Sequence, residues 1–436
     1  MITQKELSLK IKRHFFNSQN NSKNSKFYLT SFAISPGFLI LKKLCNEPIG
    51  VLRLIKNKII FFYNISKLSK YELVYNFENS IFDKIYVTWG YSRNFLKDGS
   101  YNDNYLNINS KNLKKTLLIV ISLDGKKPKI ISNNIALFVR ENQNYNDVTY
   151  LLKIFFKNLK NLIFFQSRKS SWSYSNHFAE IFWKKINESI NFENIKKIIT
   201  LYEAQPFQNY FNFMIKKNYY KTKTVGYVHS TEAFPVHLFK RDGAPDNLMV
   251  HGSDQKYHCI KFLNWKKNNV KVIPTLRFKR KNIKKIYNKI ILPYEFNNVE
   301  FFKDKISFLI KNKTKSKFNG SDIKIHPYKL KSRKHLLLKR EIENILKNNK
   351  IKKLTKKNLK SEVIVLGTSS TVLEALENNL KVYHVCNDEN LQSYSTLFWP
   401  NIRKKSVAHG IFEYRLVKKN SCINYKNLKY NPIKYL

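Results

Sequence analysis

The chain of 436 residues carries 80 Lys plus Arg against 30 Asp plus Glu, a formal charge of +50, with 43% hydrophobic and 14% aromatic residues. This composition excludes a collagenous, disulfide-built or wholly disordered chain, and a length near three domain equivalents of about 150 residues points to two large domains with ample cores. The charge points to a polyanionic partner, nucleic acid or the anionic face of a membrane, although a codon bias toward Lys, Asn and Ile accounts for part of it.

In chain order, short β-branched and aromatic runs alternate with amphipathic segments of helix length. Predicted buried strands are KIIFFYNI (58–65), KIYVTWG (84–90), TLLIVISL (116–123), NIALFVR (134–140), IKKIITLY (195–202), KTVGYVHS (223–230), NLMVHG (247–252) and VKVIPT (270–275). Predicted helices are HFAEIFWKKINESI (177–190), PFQNYFNFMIKKN (206–218) with Pro in its first turn, and DQKYHCIKFLNWKKN (254–268). A second series follows the basic segment 277–288. It reads NKIILPY, a helix through FFKDKISFLI, DIKIHPY, a helix KHLLLKREIENILKNN, SEVIVLG, a helix STVLEALENN, and KVYHVC. Alternation of this kind implies α/β layering with mostly parallel strands. The expected fold is two doubly wound Rossmann-like domains facing a cleft, an acceptor-side domain over 1–280 and a nucleotide-binding domain over 281–436.

Several chemistries are disfavoured. Cys45, Cys259, Cys386 and Cys422 form no close pair, so neither a disulfide framework nor a zinc site is suggested. Among eleven glycines there is no GxGxxG, GxxxxGK or GxSxG. No two aspartates stand two apart, so the carboxylate pair that many sugar-nucleotide enzymes use for a divalent ion is absent; no metal and no cofactor are expected. No apolar run approaches the roughly 18 residues of a membrane span. The expected location is cytoplasmic, peripheral on the inner face of the cytoplasmic membrane.

Four constellations can carry chemistry. In GTSSTVLEAL a strand breaks at Gly367 into Thr368, Ser369, Ser370 and Thr371 and then enters a helix. Hydroxyls, helix amides and the helix dipole converge there on one point suited to an anion. An ordinary N-cap needs one hydroxyl, and four stand here. In DIKIHPY, Pro327 stops a strand and leaves His326 at the same sheet edge. In LYEAQPF, Glu203 follows an apolar strand and is delivered to the carboxyl edge of the first sheet, where ligands of open α/β sheets bind. A carboxylate there suits a general base, against the plainer reading of a group paired with the helix that starts at Pro206. In VGYVHSTEAF, His229, Ser230 and Glu232 follow the next strand and face the same cleft, His229 being the alternative base. Trp89 is a further cleft candidate, able to stack on a sugar, though aromatic residues of this kind are more often core.

HPY followed by GTSSTVLEAL resembles the paired HP and SS motifs of bacterial surface-polysaccharide glycosyltransferases of the GT-B fold, among them sialyl-, polysialyl- and Kdo-transferases using CMP-activated sugars. YEAQPF, VGYVHS, PDNLMVHG and IILP look like successive strand ends of surface-carbohydrate biosynthesis proteins, and the likeness is strongest over 195–400. The resemblance implies that His326, Pro327, Ser369 and Ser370 hold the donor phosphate and ribose. It implies an acidic base in the N-terminal domain, in a motif ending in glycine that this chain lacks. The implied partners are a nucleotide-sugar donor, CMP-linked favoured, and a glycan or lipid-linked glycan acceptor. The same two motifs also resemble teichoic-acid polymerases that use CDP-alditols.

Between Lys279 and Lys360 stand 26 basic and 6 acidic residues, a local excess of +20 suited to anionic lipid headgroups as well as to a solvated face. A nucleic-acid-binding protein is the rival of a different class. The aromatic residues lie inside apolar runs and no recognition motif appears, so no specific nucleic acid is expected.

Overall fold

The computed structural model describes residues 3–21, 71–76, 81–140, 174–278, 288–296, 298–314, 318, 320–326, 329–348 and 362–425. The strand expected over 58–65, Pro327 and most of the basic segment 277–288 lie outside the described residues.

The first sheet contains β1 (Tyr71–Tyr75), β2 (Lys84–Gly90), β5 (Thr116–Ser122), β6 (Ile135–Arg140), β7 (Lys197–Leu201), β8 (Lys223–Tyr227), β9 (Asn247–Val250) and β10 (Val270–Val272). A two-stranded ribbon, β3 (Asn102–Asp103) and β4 (Ile108–Asn109), lies between β2 and β5 in sequence. The spatial order is β1-β6-β5-β2-β7-β8-β9-β10, with β1 antiparallel and every other pair parallel. From β2 the chain winds outward through β5 and β6, then returns to start again at β7 on β2's other side. The order therefore reverses between β2 and β7, the switch point at which doubly wound sheets open a crevice.

Both faces of these strands are covered, as parallel sheets require. On one side α2 (Tyr174–Ser189) and α3 (Pro206–Asn218) bring Phe182, Ile186, Phe207 and Phe211 against Ile85, Ile119 and Ile198. The other face packs Tyr86, Leu118 and Ile199 against Tyr101 and Leu106. The helix expected over 254–268 is shorter: α4 runs Ser253–Phe262. Asn264 turns to φ 58, and Trp265 drops into the core with its indole Nε1 donating to Leu238 O at 2.8 Å.

The second sheet contains β11 (Ile290–Ile291), β12 (Ile323–Lys324), β13 (Glu362–Leu366), β14 (Lys381–Val385), β15 (Ile402–Ala408) and β16 (Ile411–Leu416), in the order β12-β11-β13-β14-β16-β15. The first four are parallel and the last two antiparallel, so this sheet too reverses order, between β11 and β13. Helices α5 (Val299–Asn312) and α6 (Arg333–Asn348) cover one face. On the other lie α7 (Thr371–Glu377), the short α8 (Glu389–Gln392) and, from the far end of the chain, α1 (Gln4–Asn21).

Chain crossings join the two layers. Leu7 and Ile11 of α1 are each 1% exposed inside the second sheet's cluster, a burial worth about 2 kcal/mol apiece. In return, Ser421–Tyr425 runs back to the first sheet. Asn424 N donates to His251 O and Thr275 N to Asn424 O, each at 2.8 Å. Gly252 is required beneath this crossing, because a side chain there would collide with the carbonyls of Ser421 and Cys422. The expectation of two Rossmann-like layers is met. Among the described residues no helix is long and apolar enough to cross a membrane.

Candidate functional site

β7 ends at the switch point of the first sheet, and the next residues turn sharply. Gln208, in the first turn of α3, accepts from the backbone N–H groups of Glu203 at 2.9 Å and Gln205 at 3.1 Å. Between them Ala204 is forced to φ 53, a left-handed conformation that a non-glycine residue holds only when its surroundings demand it. Two donors fix it there: Arg241 Nη2 and Asn209 Nδ2 reach Ala204 O at 2.8 and 2.9 Å. The result aims Glu203 away from the helix it precedes.

Its carboxylate meets the residue that ends the neighbouring strand segment. His229 Nε2 lies 3.1 Å from Glu203 Oε1, and Gln205 Nε2 donates to Oε2 at 2.7 Å. Burial alone would raise this carboxyl, but the hydrogen bond and charge of His229 outweigh it and bring the pKa down to about 2. Glu203 is ionised at neutral pH, and the two alternative bases of the sequence reading form one hydrogen-bonded pair. Glu203 is the more accessible partner, 24% exposed against 5% for His229. Tyr105 lies edge-on to the imidazole with centroids 4.9 Å apart. Beneath it Asp103 is buried, accepting from Thr88 Oγ1 and, at 2.7 Å, from the amides of Tyr105 and Leu106. Burial pushes the Asp103 carboxyl up despite these donors.

Further histidines are buried in the first layer, and burial lowers His237 and His251 to about 3 and His258 to about 4. They are neutral packing groups at physiological pH. Glu232 is 3.5 Å from His237, and Ser230 gives its carbonyl to Gln255 Nε2 at 2.8 Å, so both shape the loop after β8. Trp89 is half-buried with its ring edge-to-face with Phe207 at 5.2 Å, within the first sheet's core.

The second sheet's switch point is built by Pro293 after β11 and Gly367 after β13. Gly367 has φ +62, and a Cβ there would stand 2.9 Å from Pro293 Cβ, so glycine alone permits the turn. Beyond it Thr368 is exposed, while Ser369, Ser370 and Thr371 are half-buried. Two of the hydroxyls already have protein partners. Ser369 Oγ accepts from Thr371 N at 3.2 Å, capping the helix locally. Ser370, although it is the N-cap residue, accepts instead from Thr231 N of the first layer at 3.3 Å. The buried Tyr394 hydroxyl lies 2.8 Å from Thr231 O and 3.2 Å from Ser369 O, clasping both loops. The two carboxyl edges are in contact here.

His326 follows β12 by two residues at this edge, half-buried against Tyr294 with ring centroids 4.8 Å apart. Its pKa is lowered by burial and by the charges of Arg277, Lys329 and His335. Buried His335 bridges Ser332 Oγ at 2.8 Å and Pro293 O at 2.9 Å, holding the β11 end in place.

Two residues absent from the sequence reading belong to this seam. Arg277 follows β10 by five residues and donates from Nη1 to His229 O at 3.1 Å. Its position after an apolar strand was the available signal, the same argument that singled out Glu203, but the basic run that follows masks it. Glu374 lies on α7 and its carboxyl is pushed up to about 7 by burial, against the pull of Arg277. Between about pH 4.5 and 7 the folded protein therefore keeps a proton that the unfolded chain releases, and stability falls as pH rises through that window. The full shift is worth on the order of 3 kcal/mol, reduced by solvent screening. Glu374→Gln is expected to be about 1–2 kcal/mol more stable than the parent at pH 8 and equal to it at pH 4. Denaturant titrations at the two pH values check this; equal stabilities at pH 8 would show that the carboxyl carries no burial penalty.

No family model matches the chain, and no curated protein matches it. Among solved structures, a glycosyltransferase from Rickettsia africae ESF-5 aligns at 13% identity over 71% of this chain and 86% of its own, with a TM-score of 0.33. The N-terminal domain of trehalose-6-phosphate phosphatase from Candida albicans aligns at 11% identity over 71% and 83%, also with a TM-score of 0.33. Superpositions this loose carry no argument about function; the fold stands on its strand order.

Proposed function

We propose that the protein is a glycosyltransferase of surface-polysaccharide synthesis, with the GT-B arrangement, that moves a sugar from a nucleotide donor, CMP-linked in the favoured case, to a hydroxyl of a glycan. The observation that carries this reading is the meeting of two switch points. An ionised Glu203 paired with His229 stands on one carboxyl edge, an imidazole and a serine turn stand on the other, and the Thr231 to Ser370 contact joins them. In this reading the donor lies against His326 and the Gly367 to Thr371 turn, where neutral donors stabilise the departing phosphate. The Glu203–His229 pair takes the proton of the acceptor hydroxyl as it attacks the anomeric carbon from the opposite face, which inverts that centre. No step calls for a metal. The basic excess between Lys279 and Lys360 supports an anionic membrane face as the workplace, where lipid-linked glycans are presented.

Calorimetric titration with CMP, CDP, UDP and GDP tests the nucleotide site. One of them is expected to bind, and His326→Ala or the double change Ser369→Ala, Ser370→Ala to weaken it by about 10- to 100-fold, the worth of hydrogen bonds to a charged group. Unchanged affinity in both variants would remove these residues from the site. Transfer from CDP-glycerol but from no CMP-sugar would instead identify a polymer phosphotransferase built on the same edge.

A further inference from the structure

Arg277 occupies the seam between the two layers. Before it, Ile273 and Leu276 pack in the first sheet's core; after it, Phe278 enters the cluster that holds Val372 and Leu373 of α7. The chain therefore passes from one layer to the other at residue 277. The guanidinium is pinned from two sides, its carbon 5.3 Å from the Tyr105 centroid and 5.5 Å from that of Phe278. Its Nη1 donates to His229 O, and two residues further on Thr231 N reaches the Ser370 hydroxyl. Arg277 and the serine turn thus flank the same short loop.

We propose that Arg277 is the first layer's contribution to a phosphate site whose other wall is Ser370 and His326, so that the phosphate of a bound nucleotide is held by both layers at once. This inference rests on the nucleotide reading given above and adds to it a residue and a consequence. Among the described residues no carboxylate pairs with Arg277 within 4.0 Å, and one N–H of its fork is committed to a backbone carbonyl. The carboxyl that feels its charge, Glu374, is half-buried and only partly ionised near neutrality, so it offsets the cation incompletely. Lys329, also at this edge, is engaged with Glu295. A guanidinium flanked by two rings still presents its remaining donors as a planar fork, which matches the oxygens of a phosphate better than a point charge does. Because the fork belongs to one layer and the serine turn to the other, phosphate binding favours the arrangement in which the two edges touch.

Calorimetry on the full chain with a nucleotide panel (CMP, CDP, UDP, GDP), the matching nucleoside and inorganic pyrophosphate tests this. Arg277→Gln keeps a donor for His229 O and removes the charge. The nucleotide that binds the parent chain, and pyrophosphate, are expected to bind this variant about 10- to 100-fold more weakly, with nucleoside affinity unchanged. Arg277→Lys, which keeps the charge and loses the fork, is expected to fall between. Equal nucleotide affinity in the parent and Arg277→Gln would overturn the assignment of Arg277 while leaving the nucleotide site standing. Loss of nucleoside and nucleotide binding together, with a lowered melting temperature, would make Arg277 a strut and overturn it too. A parent chain that binds none of the nucleotides would instead refute the nucleotide reading itself.

Discussion

Glu203→Gln is expected to lower the rate of sugar transfer by about 10²- to 10⁴-fold, the usual contribution of general base catalysis, while leaving donor affinity nearly unchanged. The side chain keeps its size and one acceptor oxygen but can no longer take a proton or offer a carboxylate to His229, 3.1 Å away. Because the two groups act through one hydrogen bond, His229→Ala is expected to cost a similar factor and the double variant little more than either single change. Multiplied losses in the double variant would assign the two residues separate tasks, and near-normal transfer by Glu203→Gln would dismiss the pair from the chemistry. The hydrogen-bonded carboxylate also stabilises the fold. A carboxyl at about 2 in the folded state and 4.5 otherwise contributes stability that is present above about pH 4.5 and is lost as pH falls toward 2. The variant is therefore expected to be on the order of 2 kcal/mol less stable at neutral pH, and rates belong at a temperature where both proteins are folded.

Glu377→Ala is expected to release the C-terminal crossing. This carboxylate, at the end of α7, accepts three backbone N–H groups: Asn420 at 2.6 Å, Cys422 at 2.9 Å and Ile423 at 3.2 Å. Removing it strands three amides, of which those of Cys422 and Ile423 are in buried residues, each unmet donor costing about 1–3 kcal/mol. A loss of on the order of 3–5 kcal/mol and of several degrees in melting temperature follows. Trypsin should then cut faster after the exposed Lys418 and Lys419. Glu377→Gln, which retains one carbonyl oxygen for two of the amides, is expected to lie between. Wild-type melting and digestion in Glu377→Ala would show that the crossing is held by its apolar contacts alone.

Local pattern carried far in this chain. The apolar runs that became β2, β5, β7 and β13 are short, β-branched and buried on both faces, so composition and length sufficed to mark them. β15, by contrast, was not foreseen: IRKKSVA is an edge strand whose side chains are largely outside the core, and its five inner residues include two lysines and an arginine. The two switch points were not visible either, because strand order depends on which crossover goes to which side, and no residue type records that.

The candidate site divides along the same line. That Glu203, His229, His326 and the serine turn lie at carboxyl ends of strands was determined by sequence alone, since each follows an apolar run broken by proline, glycine or a polar cluster. Which of them meet was decided by tertiary structure. Glu203 pairs with His229 rather than with the α3 amides because Gln208 takes the turn's N–H groups and Arg241 holds Ala204 in its left-handed conformation. Ser370 turns from capping its own helix to meet Thr231, 139 residues away in sequence. Arg277 reads as one more basic residue until Tyr105 and His229 arrive beside it from two distant parts of the chain. Pairings of this kind are set by how the layers pack. Local propensity positions a residue on its element, whereas its partner, its burial and hence its charge state are properties of the assembled core.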